Sequence, residues 1–357
     1  MNLKRGIFIA VILTTLFSIA LKIALATRNI SASDFEDNLP LKRAMTAGGQ
    51  LALEACREQF ANELWQCPLR AFVNMASGEP ATREQAFVNA ITSAGITYAI
   101  TRSCSQGILE DCACSSRQFG AVDAVFTWER CSDDVTYADS VTAKFFRSKM
   151  KRDEDASRAQ VFWHNHRAGR IAVKRSIKRI CNCEGSSVSC ANKTCWFRLT
   201  NFTVIANRLK KQYRRAFKIE APVNTNAAET KSSSSENSKE VVVPWNGNIP
   251  PFVGLRKLVY IDESPDYCVA NETMGWLGAR GRQCLEVDVE TELTKSTMKP
   301  CRQLCRRCGL SIEREVTSLM VACNCKFIWC CRMVCDSCVK EVVRYTCAYG
   351  TKDQMNL

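Results

Sequence analysis

Residues 181–196 read CNCEGSSVSCANKTCW, in which Cys181, Cys183, Cys190 and Cys195 bracket a tip of small or polar residues, Glu184 to Ser189. Such a tip has no core of its own. If the cysteines pair as nested bridges, Cys183 to Cys190 inside Cys181 to Cys195, covalent bonds hold a short hairpin rigid and turn its serines outward. The hairpin then presents a hydroxyl, that of Ser186, Ser187 or Ser189.

Two other chemistries compete for these residues. Gly185 to Ser189 approaches the G-x-S-x-G nucleophile elbow of a secreted hydrolase, but the closing glycine is missing. The strand-turn-helix setting of that motif has no room between two close cysteines. Further on, Cys305-x-x-Cys308 and Cys335-x-x-Cys338 have the spacing of zinc ligands. Against zinc stand the absence of nearby histidines, His164 and His166 being the only two in the chain, and an even count of 22 cysteines behind a secretory leader. Catalysis and metal binding are therefore not expected.

That leader is residues 1–26. Lys4 and Arg5 form a positive n-region, Ile7 to Leu21 an apolar run too short for a comfortable bilayer span, and Ala24-Leu25-Ala26 a cleavage site. An oxidising route is where so many cysteines can pair. Four glycosylation sequons, at Asn29, Asn192, Asn201 and Asn271, fit the same compartment. A secreted chain is expected, with no further spanning segment.

A chain of 357 residues that is 46% hydrophobic can bury two ordinary cores. Its formal charge is +13, and the excess is local: from Arg167 to Lys218 there are fourteen basic residues and one acid, Glu184. In a secreted protein such a tract suits sulfated glycosaminoglycan rather than nucleic acid.

Apolar spacing predicts amphipathic helices over Gly48–Gln66, Glu84–Arg102, a stretch from about Ala168 that buries Ile171, Val173, Ile177 and Ile180, and a basic one through Phe202, Ile205, Leu209, Tyr213 and Phe217. Residues 44–220 read as a helical N-terminal domain. Residues 221–251, without cysteine and with serines 232–235 in a row, read as a polar linker. Ten cysteines precede it and twelve follow, so each half can close its own bridges. Residues 252–350 read as a cysteine-rich β-hairpin domain, with Val343, Tyr345 and Cys347 at strand period. The expected fold class is α+β and disulfide-rich.

Several of these stretches resemble the Wnt family of signalling ligands: ACREQF with Trp65-Gln66-Cys67, the helix text EQAFVNAITSAGITYAITRSCS, HNHRAGRIAV, LVYIDESPDYC, GARGRQC and CNCKFIWCC. The opening hairpin is similar to that family's C-x-C-H-G-x-S-x-S-C, with Glu184 where the histidine usually stands and Val188 where a glycine does.

The resemblance covers roughly Gln50 to Ala348. It implies a palmitoleoyl ester on Ser187 and no other cofactor. It also implies disulfides at Cys56 and Cys67, and pairs Cys104 to Cys112, Cys114 to Cys131, Cys268 to Cys308, Cys284 to Cys301, Cys305 to Cys347, Cys323 to Cys338, Cys325 to Cys335 and Cys330 to Cys331. The last would join neighbours about 3.8 Å apart at their Cα atoms, a ring that distorts its backbone.

Around that ring Phe327, Ile328, Trp329 and Met333 are large apolar groups on a clamped loop, which implies a partner surface. By resemblance, Ser187 and the tip Phe327, Ile328, Trp329, Cys330, Cys331 and Met333 grip the cysteine-rich domain of a Frizzled receptor. An LRP-type co-receptor, a membrane O-acyltransferase, a Wntless-type carrier and heparan sulfate proteoglycans complete the implied partners. A non-acylated matrix protein or receptor antagonist on the same scaffold is the alternative, and Glu184 is what favours it.

Overall fold

A computed structural model describes residues 38–73, 80–115, 127–129, 131–148, 156–184, 192–220, 242–244, 249–284, 301–328 and 332–349. The leader expected at residues 1–26 lies outside them. Among the described residues no helix is long and apolar enough to cross a membrane. The chain forms two units, one of residues up to Gln59 with Leu69–Ser264, the other of Phe60–Pro68 with Pro265 onward.

In the first unit the helices are α1 (Leu39–Phe60), α2 (Arg70–Val73), α3 (Arg83–Ser105), α4 (Thr136–Ser148), α5 (Ala156–Lys174) and α6 (Phe202–Tyr213). Helix α3 is the centre, because its apolar residues are buried on every side: Phe87, Ala90, Ile91, Ala94 and Ile100 are all fully covered. Thr82 caps it, its hydroxyl accepting from the Gln85 amide at 3.2 Å. In its first turn buried Glu84 accepts from the Tyr213 and Ser264 hydroxyls at 2.8 and 2.6 Å, a carboxylate at the positive end of the helix.

Neighbouring helices approach α3 closer than a side chain allows. A Cβ on Gly48 of α1 would lie 2.6 Å from the Gly95 carbonyl, and one on Gly169 of α5 would lie 2.0 Å from the Ala90 carbonyl. Glycine at these positions is a packing requirement.

Helix α1 starts nearer the N-terminus than apolar spacing predicts. Leu41, Ala44 and Met45 pack with Ile100 and Phe146 in one cluster, and the Asn38 side chain accepts from the Leu41 amide at 2.9 Å. The helix ends at Phe60, and Cys67 takes a left-handed φ of 58°.

The expectation that α5 runs on through Ile177 and Ile180 is corrected. The helix stops at Lys174, where the Ser176 hydroxyl donates to the Val173 carbonyl at 2.7 Å. Ile177 and Ile180 lie on strand β2 (Ile177–Glu184), with Ile180 exposed. The isoleucines are β-branched and suit a strand.

Phe217 likewise belongs to a strand, β4 (Phe217–Glu220), which pairs in parallel with β5 (Val242–Pro244) on one side and β6 (Val259–Tyr260) on the other. Part of the segment expected to be linker is thus sheet. The rest of it up to residue 241 lies outside the described residues.

Helix α5 holds β6 in place. The Asn165 amide donates to the Val259 carbonyl at 2.8 Å and its oxygen accepts from the Val259 amide at 3.0 Å, a side chain standing in for a strand. His164 Nε2 bonds the Lys257 carbonyl at 2.7 Å, and Arg158 grips Asp262 with its two terminal guanidinium nitrogens. Residues 252–264 therefore lie with the first unit, and the division falls after Ser264 rather than at residue 252.

His166 is fully buried against Phe146 and Phe162, with ring centroids 3.7 and 4.2 Å away, and among the described residues neither ring nitrogen has a hydrogen-bond partner. Burial, helped by the nearby Arg170 charge, holds its imidazole well below the usual 6.5.

The second unit has strands β7 (Gln283–Cys284), β8 (Ser311–Ile328) and β9 (Arg332–Ala348), with the order β7-β9-β8, and a short helix α7 (Cys301–Leu304). Its buried cluster is Ala279, Cys284, Cys301, Leu304, Cys305, Leu310 and Cys347, so sulfur supplies much of the core. The disulfides there are Cys268–Cys308, Cys284–Cys301 and Cys305–Cys347. The architecture is the α+β, disulfide-rich one that the sequence implies.

Substituting Gly169→Ala should destabilise the first unit by about 2 kcal/mol or more, since the new methyl meets backbone. Gly49→Ala on α1, where nothing lies within 4 Å, should be neutral or stabilising. Thermal unfolding of the two variants checks this. Because the folded chain excludes a proton that the unfolded His166 binds, stability should be complete above a pH of about 6.5 and decline as pH falls below it. His166→Leu should flatten that decline in urea titrations taken at descending pH; an unchanged slope would clear His166 of the effect.

Candidate functional site: two cystine-closed hairpins

The first hairpin is β2 with β3 (Asn192–Leu199), antiparallel from Ile177↔Leu199 to Glu184↔Asn192. Cys181 and Cys195 face each other in this register and are bridged, with Cα atoms 4.1 Å apart, and Cys183 is also disulfide-bonded. The tip between Glu184 and Asn192, with Ser186, Ser187, Ser189 and Cys190, lies outside the described residues.

At its base the hairpin is bolted to the helical core. Strand β1 (Thr127–Glu129) pairs in parallel with β3. Next to it the Ser132 hydroxyl accepts from the Phe197 amide at 3.0 Å, and the Asp133 carboxylate accepts from the Leu199 amide at 2.7 Å. The Asp133 amide donates back to the Phe197 carbonyl at 2.9 Å. Asp133 is buried, 3.5 Å from the Arg102 guanidinium of α3. The segment is tied back by Cys104–Cys112 and Cys114–Cys131. Periodicity could not reveal this clamp; its only trace is the Cys131-Ser-Asp-Asp134 run, polar residues that a buried strand end needs.

The second hairpin is a long ribbon. Strands β8 and β9 pair from Ser311↔Ala348 out to Ile328↔Arg332, and most of their residues are exposed on both faces. A two-stranded ribbon without a packed face is marginal in water. Two disulfides, Cys323–Cys338 and Cys325–Cys335, clamp its outer part. Between them the register shifts by a bulge, with Asn324 in the left-handed region at φ 50°, which asparagine tolerates.

Beyond the clamp Phe327 stands opposite Met333 on one face, with Ile328 opposite Arg332 on the other; Phe327, Ile328 and Met333 are 71%, 53% and 67% exposed. Trp329, Cys330 and Cys331 lie outside the described residues.

Both pairs with zinc-like spacing are half-cystines, since Cys305, Cys308, Cys335 and Cys338 each bond a sulfur elsewhere. The sulfurs of Cys284, Cys305 and Cys347 lie within 4.8 Å of one another because two disulfides stack there.

The sequon asparagines with described side chains are placed on turns. Asn201 caps α6, its Oδ1 accepting from the Thr203 amide at 3.0 Å. Asn271 Oδ1 accepts from the Thr273 hydroxyl at 2.7 Å and the Met274 amide at 3.0 Å. Asn29 and the side chain of Asn192 fall outside the described residues.

Helices that bolt down one cystine-bridged hairpin, and a sulfur-rich unit that bears a second, define a disulfide-rich protein built around two cross-linked hairpins. The pattern that defines the Wnt family matches residues 32–348. The chain is 36% identical to zebrafish (Danio rerio) Wnt-8a over 345 residues, 96% of this chain and 93% of that one, and 36% identical to human Wnt-8b over 309 residues, 85% and 84%. The WNT8A chain of a solved complex with human WLS superposes with a TM-score of 0.59 at 34% identity, over 88% of this chain and 96% of that chain. The chain therefore belongs to the Wnt family of secreted signalling ligands.

Replacing Asp133 with alanine leaves the Leu199 amide without its acceptor and should cost about 1–3 kcal/mol at the hairpin base. Hydrogen exchange should quicken at residues 177–184 and 194–199 while residues 86–100 of α3 keep their protection. Equal exchange in the wild-type and alanine chains would refute the clamp.

Proposed function

We propose that this chain is an acylated ligand for the cysteine-rich domain of a Frizzled-type receptor, activating Wnt signalling in development. The observation that carries the reading is the cystine-clamped ribbon, which holds Phe327, Ile328 and Met333 in water where a free chain would hide them. Apolar groups so exposed at a stiff tip suit a receptor surface.

The second contact in this reading is a palmitoleoyl ester on Ser187, which the resemblance of the CNCEGSSVSC stretch to the family's acylated hairpin supports. Each buried CH₂ contributes about 0.8 kcal/mol, so a sixteen-carbon chain contributes on the order of 10 kcal/mol before ordering costs. The lipid is then the larger anchor, and the Phe327 to Met333 tip, with Trp329 and the Cys330–Cys331 pair, the directional one. The same apolarity demands a membrane O-acyltransferase to attach it and a carrier in transit. The WNT8A relative solved with human WLS supports a Wntless-type carrier. An LRP-type co-receptor completes the signalling complex, and heparan sulfate proteoglycans suit the basic tract. Glycans at Asn192, Asn201 and Asn271 fit the turns described for the latter two.

Glu184 favours a second reading, a non-acylated matrix protein or antagonist on the same scaffold. Metabolic labelling with an alkynyl fatty acid separates the two. Label on wild type and none on Ser187→Ala supports the acylated ligand, and secreted active protein without label contradicts it. In reporter cells Ser187→Ala should abolish signalling, whereas Phe327→Ala or Met333→Ala should weaken it by roughly 10-fold, equivalent to about 1.4 kcal/mol each.

A further inference from the structure

A groove of about 920 Å³ opens on the first unit between α4, α5 and the segment 249–255. Its volume is that of a small-molecule site. One wall carries four cations: Arg147 from α4, and Arg167, Arg170 and Lys174 from α5. Among the lining residues Asp139 is the one acid, and it is already committed. Its two oxygens take Arg170 Nε at 2.9 Å and Lys174 Nζ at 2.8 Å. Arg170 is buried, so its charge is poorly hydrated, and it feels Arg167 and Arg147 as like charges. Among the described residues Arg147 and Arg167 meet no carboxylate, and Arg147 lies over the Trp163 ring, 5.6 Å from its centroid. The wall is short of negative charge by about three units.

The facing wall is apolar. Ile249, Pro250, Pro251 and Leu255 line it, and the Trp163 ring is a further apolar lining group. Proline brings no amide donor to this surface. A hydrated, uniformly sulfated chain would gain from the cations and lose water from the apolar side without return. A molecule with one oxyanion head and a hydrocarbon tail matches both sets of residues, the head on Arg147 and Arg167, the tail along Trp163, Ile249 and Leu255.

We propose that this groove is a binding site for a single-chain anionic lipid. The site uses neither Ser187 nor the Phe327 tip, so it stands or falls independently of receptor binding and of acylation.

Native mass spectrometry of the secreted full chain, titrated with palmitoyl lysophosphatidate and with palmitate, tests it. One added lipid per chain is expected, and the preferred headgroup tells phosphate from carboxylate. Arg167→Gln and Leu255→Ser should each weaken binding by about tenfold, while Val204→Ser on exposed α6 should not. The proposal is overturned if no 1:1 adduct forms or if inorganic phosphate binds as tightly as the lipid. It is also overturned if Leu255→Ser binds like wild type while Arg167→Gln does not, which is the signature of a hydrophilic polyanion such as a heparin oligosaccharide.

Discussion

A ribbon exposed on both faces cannot be held by burial, and that constraint shapes the second unit. Strands β8 and β9 run 18 and 17 residues with almost nothing packed on them. Hydrogen bonds between them exchange against water at little net gain. What remains is covalent: Cys323–Cys338 and Cys325–Cys335 remove the open states of the unfolded ribbon, and Cys305–Cys347 ties its root to the residue that follows α7. The bulge at Asn324 sits between the two outer cross-links, where its distortion is contained. With the ends fixed in this way, Phe327 and Met333 can stay in water without the ribbon collapsing over them.

The first unit solves the opposite problem by ordinary means. Helix α3 is buried on all sides, α1 and α5 meet it through glycines, and α5 hands the chain to the hairpin within three residues of its last turn. The Cys181–Cys195 bridge is then needed only beyond the point where Ser132 and Asp133 release the strand. Rigidity is thus passed from core to clamp to cystine. Most of the basic residues that follow the hairpin stay on the surface, because α6 buries only Phe202, Ile205, Ala206, Leu209 and Lys210, whose ammonium lies over the Tyr213 ring, 4.8 Å from its centroid.

Much of this could be read from the chain. The apolar stripe Phe87, Ala90, Ile91 and Ala94 identified α3, because local spacing and burial agree there. The cysteine series after Cys301 marked a cross-linked β unit, and hydrophobicity would not have done so. Local spacing failed where long-range partners decide. Ile177 and Ile180 keep helical intervals with Val173 but pair with β3, and the Val242–Pro244 strand is ordered by β4, some twenty residues earlier. Asn165 and Asp133 were invisible as structural residues, since a polar side chain that satisfies a distant backbone leaves no period in the sequence. In the site, Phe327, Ile328 and Met333 were legible as misplaced apolar groups, whereas the groove on α5 was not. Its cations read only as part of a basic tract.

The central claim is that cross-links, and not burial, hold the ribbon that bears Phe327 and Met333. Hydrogen exchange on full-length protein lacking both outer bridges, with Cys323, Cys325, Cys335 and Cys338 replaced by serine, tests it most directly. Amides of 311–328 and 332–348 should lose their protection while 83–105 and 156–174 keep theirs. A ribbon as protected as in the bridged protein would contradict the account.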